Sequence, residues 1–140
     1  MDIYFHSEEI EFTYSRQQEM KNVLDKLVTD NDMQMGTLNV IFCSDEYLLQ
    51  MNRDYLQHDY YTDIITFNYN EANFISGDLF ISIDRVNENA ESLGVESMHE
   101  LNRVIIHGVL HLVGFNDKSE QEKTEMTLQE DLYLNKLQQA

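Results

Sequence analysis

Residues 97–117 read SMHELNRVIIHGVLHLVGFND, and the architecture turns on this stretch. Leu101, Val104, Ile105, Ile106, Val109, Leu110, Leu112 and Val113 recur at helical spacing and cover nearly the whole circumference of a helix over Ser97–Val113. A helix that is apolar all round is a buried one, so this segment is expected at the centre of the core. Gly114 follows the last helical residue, where a left-handed backbone lets the chain turn back sharply.

On either side of this helix the chain alternates short elements. Asp2–His6 and Thr37–Cys43, the latter opened by Gly36, are β-branched and apolar enough to be strands. Ser15 is placed as the N-cap of a helix carrying Met20, Val23, Leu24, Leu27 and Val28. Ser44 caps a second, with Leu48, Leu49, Met51 and Asn52. Strands are expected at Asp63–Tyr69 and Asp78–Asp84, joined through Asn70–Gly77, before a short helix Asp84–Leu93 ended by Gly94. A last helix spans Ser119–Leu137 with Met126, Leu128, Leu132, Tyr133 and Leu137. The prediction is an α+β fold: a small mixed sheet of about four strands covered by about five helices, with a buried central metal-binding helix. There is no Pro, repeat or Gly/Ser linker, so residues 1–140 are expected to form a single domain.

Two histidines interrupt the apolar helix. His107 and His111 are four residues apart, so their rings leave the same face one turn apart. Imidazoles among aliphatic side chains need partners for their nitrogens. They are either hydrogen-bonded core residues or ligands of one divalent ion that satisfies both. Beyond the turn at Gly114, Asp117 can bring a carboxylate beside them and complete a His-x3-His-x5-Asp set. Three protein ligands leave a fourth position for water, the arrangement of catalytic rather than structural zinc.

Hydrophobic residues make up 42% of the chain, enough for a real core and too many for a disordered tail. Lys and Arg number 9 against 26 Asp and Glu, a net charge of −17. Such a chain repels phosphate backbones on average, so a nucleic-acid partner requires a local basic surface, another protein or a metal. No apolar run approaches the ~20 residues that span a bilayer, and the N-terminal Met-Asp-Ile-Tyr-Phe-His carries no basic residue. With a lone cysteine, Cys43, these features predict a cytoplasmic protein without membrane association. Cys43 is expected in the core, and His58 and His99 on the solvated surface.

The run from His107 to Asp117, HGVLHLVGFND, resembles the signature of the YbeY family of bacterial endoribonucleases, H-G-x-L-H-L-x-G-[YF]-D-H. Asn52-Arg53-Asp54-Tyr55 followed by Thr62-Asp63-Ile64-Ile65-Thr66-Phe67 resembles that family's L-N-x-x-[FY]-R and T-D-V-L-S-F blocks. Gly77-Asp78-Leu79-Phe80-Ile81-Ser82 is similar to its G-D-I-x-I-S strand. The resemblance implies a single-strand-specific, metal-dependent endoribonuclease that matures the 3′ end of small-subunit ribosomal RNA and takes part in ribosome quality control. It implies ribosomal RNA and the ribosome or its associated proteins as partners, no DNA, and one zinc-like ion at His107, His111 and Asp117.

The chain departs from the family pattern in ways that bear on chemistry. Asp117 stands where the signature has its third histidine, and Asn116 where it has an aspartate. A carboxylate ligand lowers the charge of a loaded site from about +2 to about +1 and, being harder than imidazole, widens the choice from Zn2+ to Mn2+ or Ni2+. Leu56 stands where the family carries an arginine. The remaining basic candidates for RNA are Arg53 and Arg103, unless each pairs with a neighbouring acid such as Glu96 or Glu100 beside Arg103. Asp63 and Asp78 are candidates to orient the ligand histidines from behind, or else to cap turns. No catalytic side chain beyond the ligands is identified, and the nucleophile is either water or the RNA 2′-hydroxyl.

Two rival functions follow from the same residues. A metal-dependent peptidase of the H-E-x-x-H kind needs a glutamate after the first histidine, and Gly108 stands there instead. A ribosome-assembly factor with a structural metal and weak or no catalysis is favoured by Leu56 and by the net charge of −17.

Overall fold

The computed structural model describes residues 2–140. Strands β1 (Asp2–Ser7), β2 (Gln34–Cys43), β3 (Ile64–Asn68) and β4 (Phe74–Ser82) form one sheet in the order β1-β2-β4-β3. The β1/β2 and β2/β4 pairs are parallel, and β3 runs antiparallel to β4 at the outer edge. Helices α1 (Gln17–Asp30), α2 (Asp45–Leu56), α3 (Ile83–Leu93), α4 (Ser97–Val113) and α5 (Glu120–Gln138) complete an α+β fold.

Strand alternation sorts side chains to two unlike faces. Ile3, Leu38, Val40, Phe42, Leu79 and Ile81 are buried in the main core together with α4, whose Leu101, Ile105, Ile106, Val109 and Leu110 are almost fully enclosed. The packing of α4 on the sheet is close at Gly108, where a Cβ would lie 2.8 Å from Ile64 Cδ1 and 2.9 Å from Leu79 Cδ2. Helices α1, α3 and α5 pack around α4 on this side. Helix α2 covers part of the other face, where Leu48 meets Cys43 and Ile65 in a smaller cluster. Cys43 is thus a core residue, and burial pushes its thiol up to about 12.

Helix α4 ends as its sequence predicts. Gly114 adopts φ 114°, its N–H donates to His111 O, and Phe115 N–H donates back to Leu110 O. Ser119 then opens α5 with a reciprocal capping box to Glu122.

Several boundaries differ from the sequence reading. The N-cap of α1 is Arg16, not Ser15, and no side chain caps it; Arg16 bonds Glu19 and the Leu137 carbonyl instead. Strand β4 begins at Phe74 rather than Asp78 because β2 also starts early: Gln34 pairs with Phe74 and Met35 with Ile75 before the register shifts ahead of Leu38. Such pairing depends on a distant partner, so a turn-rich stretch reads locally as connection. Strand β4 stops at Ser82, whose hydroxyl accepts the Arg85 N–H and starts α3. No helix among the described residues is long and apolar enough to cross a membrane.

Candidate metal centre

His107 and His111 project from one face of α4, and the turn at Gly114 brings Asp117 back over them. The two Nε2 atoms are 3.0 Å apart, and Asp117 Oδ2 lies 3.3 Å from His111 Nε2 and 3.4 Å from His107 Nε2. A tetrahedral ion with bonds of ~2.0–2.1 Å separates its ligand atoms by roughly 3.3–3.4 Å. The donor triangle is thus close to the size, and has the donor types, that could hold a divalent ion. His107, His111 and Asp117 side chains are 23%, 29% and 41% exposed, so the triangle opens on solvent at one side.

Behind the triangle stands a carboxylate that sequence reasoning missed. Glu130 Oε2 accepts from His107 Nδ1 at 2.6 Å, while its other oxygen accepts from Arg103 Nη1 at 2.7 Å. The Nδ1 proton is thereby fixed, and the Nε2 lone pair points into the triangle. Burial would lower the His107 pKa, but the hydrogen bond and charge of Glu130, with Asp117 and Asp63, outweigh it and leave the imidazole above its ordinary value. The signal for Glu130 lay in α5, where it falls on the buried stripe Met126, Glu130, Tyr133, Leu134, Leu137. A carboxylate on an apolar helix face needs a partner.

The other sequence candidates fall in unlike places. Asp63 lies within electrostatic reach of His107, and burial raises its carboxyl pKa against the pull of that ring. Glu100 of α4, 6% exposed, is raised by burial and then by Asp63. Asp78 does not stand behind the histidines. It accepts from Asn39 Nδ2 at 3.1 Å on the sheet face turned away from α4, because its neighbours Gly77 and Leu79 take the inward positions. Arg103 pairs not with Glu96 or Glu100 but with Glu130 and, at 2.7 Å, Asp131, since α5 packs along that side of α4. Arg53 is exposed and bonds the exposed Asp59 in the α2–β3 connection. Leu56 is exposed at the end of α2.

A cleft of about 560 Å³ opens elsewhere, lined by Tyr47, Tyr55, Phe67 and Phe80 with Glu9, Glu46 and Asp54. Phe67 and Phe80 belong to the small cluster under α2, on the face opposite α4, so this cleft is not the mouth of the metal centre.

The family profile described as "Endoribonuclease YbeY" matches residues 2–138. A protein of Cytophaga hutchinsonii named "Endoribonuclease YbeY" is 47% identical over 134 residues, covering 95% of this chain and 94% of its own. One of Phocaeicola vulgatus with the same name is 57% identical over 97 residues, covering 69% and 70%. The solution structure of TM1509 from Thermotoga maritima superposes with a TM-score of 0.67 at 24% identity, covering 96% of this chain and 88% of that one, and shares its fold.

Proposed function

Since the chain belongs to the YbeY family, we propose that it is a metal-dependent endoribonuclease acting on single-stranded RNA. Its place would be the maturation of the small-subunit ribosomal RNA 3′ end and ribosome quality control in the cytoplasm, with the ribosome and its associated proteins as partners. The observation that carries this reading is the open triangle of His107, His111 and Asp117 with Glu130 behind it.

In this reading His107, His111 and Asp117 hold one divalent ion, Zn2+ first and Mn2+ or Ni2+ as alternatives allowed by the carboxylate. When bound, the ion supplies Lewis acidity toward water and a phosphate oxygen and adds positive charge to an acidic protein. The chain's own groups prepare that site. Glu130 keeps the His107 proton on Nδ1, Arg103 braces Glu130 from the other side, and Gly114 sets the path that returns Asp117. Asp63 and Glu130 offset the positive charge of the loaded site. Arg53 meets the RNA phosphates: an exposed ion pair such as Arg53–Asp59 is worth little, so the guanidinium exchanges partners easily. Arg103, held by two carboxylates, serves the site and not the substrate.

A peptidase is disfavoured by more than the absent glutamate. Gly108 packs against Ile64 and Leu79, so the residue after the first histidine faces the core and not the site. The test is cleavage of a single-stranded RNA by the zinc-loaded wild type and by His111→Ala, with circular dichroism to confirm folding. Loss of cleavage in a folded variant supports the enzyme. RNA left intact by both overturns it in favour of an assembly factor with a structural ion.

A further inference from the structure

With a net charge of −17 and a leucine at position 56, phosphate contacts alone hold RNA weakly near the metal centre. The α2–β3 connection offers a hold that does not rely on charge. Tyr60 and Tyr61 are both exposed there. The His58 and Tyr60 rings stack with centroids 5.1 Å apart and planes 25° apart, joined by a 3.0 Å hydrogen bond between Tyr60 Oη and His58 Nδ1. Asn52, 1% exposed, donates its Nδ2 to the Tyr60 carbonyl at 2.9 Å. The ring pair is therefore anchored to the helix, not hung on a free loop.

Beside the pair runs a groove of about 210 Å³ whose walls include Leu56, His58, Tyr60, Thr62, Ile64 and Thr66. Strand β3 is one of the two edge strands of the sheet. Asp63 O accepts from Ser82 N, and Tyr69 N donates to Ser76 O, so the odd-numbered residues of this strand bond β4. The N–H and C=O groups of Ile64 and Thr66 accordingly turn away from β4. Those of Ile64 are engaged locally, its carbonyl accepting from Thr62 Oγ1 at 3.4 Å and its N–H serving the Asp63 carboxylate, which leaves Thr66 to face the groove. Asp63, between the wall residues Thr62 and Ile64, lies within electrostatic reach of His107, so the groove lies on the side of the metal centre.

We propose that this groove is the base subsite of the RNA substrate: a nucleobase lays its face on the Tyr60–His58 pair and turns its edge to the free amide groups of Thr66, beside Ile64. The inference rests on the endoribonuclease reading and adds to it the means of recognition. Stacking on aromatic rings tolerates any base and requires single strands, and it holds when phosphate attraction is weak. An apolar Leu56 in the wall favours a flat ring where a guanidinium would favour a phosphate. A free strand edge beside side-chain pockets also suits an extended peptide, which is the competing occupant.

The test uses the zinc-loaded full chain and a 2′-O-methyl hexauridylate. Fluorescence anisotropy should show Tyr60→Ala binding it about ten-fold or more weakly than wild type, with Tyr60→Trp restoring it and raised salt changing the ratio little. Cleavage of the unmodified hexamer by Tyr60→Ala should lose through KM and keep its kcat. In wild type the hexamer should shift the backbone amide signals of Ile64 and Thr66, which tests the subsite without any variant. Equal binding by wild type and Tyr60→Ala, unmoved Ile64 and Thr66 signals, or no hexamer binding by wild type overturns the proposal. So does a Val-Thr repeat peptide that moves those two signals where the hexamer does not. Tyr60-dependent binding without any cleavage sustains the subsite and removes the nuclease reading, whereas cleavage indifferent to Tyr60 does the reverse.

Discussion

Glu130 Oε2 and His107 Nδ1 lie 2.6 Å apart across the α4–α5 interface, and that single contact decides which nitrogen of the histidine faces the donor triangle. Glu130→Gln can still accept one hydrogen bond but loses the charge that raises ligand basicity, and Glu130→Ala leaves His107 and Arg103 without their shared partner. Zinc affinity measured by chelator competition should fall roughly 10–100-fold in Glu130→Gln. Glu130→Ala should also lose about 1–3 kcal/mol of folding stability in urea titration. Wild-type zinc affinity in both variants would show that the contact is incidental.

The same contact sets a pH dependence for ion uptake. His107 is held above its ordinary value, so a proton must be displaced from it over a pH range higher than for a free histidine. Zinc affinity should therefore drop as pH falls through that range, and Glu130→Gln should move the drop to lower pH. In the ion-free protein the sign for folding is the reverse. Protonated His107 contributes stability below the ordinary histidine value, and that contribution disappears as pH rises through the raised one. Zinc affinity flat in pH across the whole range would contradict the assignment.

Glu100 is buried in α4 with Asp63 nearby, and burial holds its carboxyl above the ordinary range. Between its unfolded and its raised folded value the native state binds the proton and the unfolded chain does not, so stability falls as pH rises through that window. Glu100→Gln removes this loss. Its melting temperature at neutral pH should exceed that of wild type, with the difference vanishing in acid. A variant that melts lower at neutral pH would assign Glu100 a partner it needs charged.

Gly108→Ala sets two effects against each other. Alanine favours a helix over glycine by about 1 kcal/mol. Its Cβ would press on Ile64 and Leu79 at less than 3.0 Å, and overpacking of a closed core costs roughly 1–3 kcal/mol. The second effect should win, giving a net loss of stability in urea, because Leu79 is fully buried and has little room to turn aside. A stabilised variant would mean that Ile64 swings aside freely.

Much of this arrangement is legible in residues 97–117 alone. A helix apolar all round must be central, two histidines one turn apart must share a direction, and glycine after the last turn must reverse the chain; all three are local rules. Glu130 is not reachable this way, because its partners depend on how α5 lies against α4, 23 residues beyond His107. The pairing of Arg103 is hidden for the same reason: its position beside His107 follows from helical spacing, but its acids come from another helix. Asp78 shows the opposite case. Alternation along β4 already sets it opposite Gly77 and Leu79, so strand geometry outweighs its place in a family block.

The three donor atoms are not equally mounted. Two ride on the most enclosed helix of the molecule, and the third sits past Gly114 on the short link to α5. An ion held between them would act as a clasp on that link, joining its free side to the rigid one. The segment 114–119 should then resist a protease when the protein is loaded and be cut soon after a chelator is added, a change visible on a gel without any RNA present.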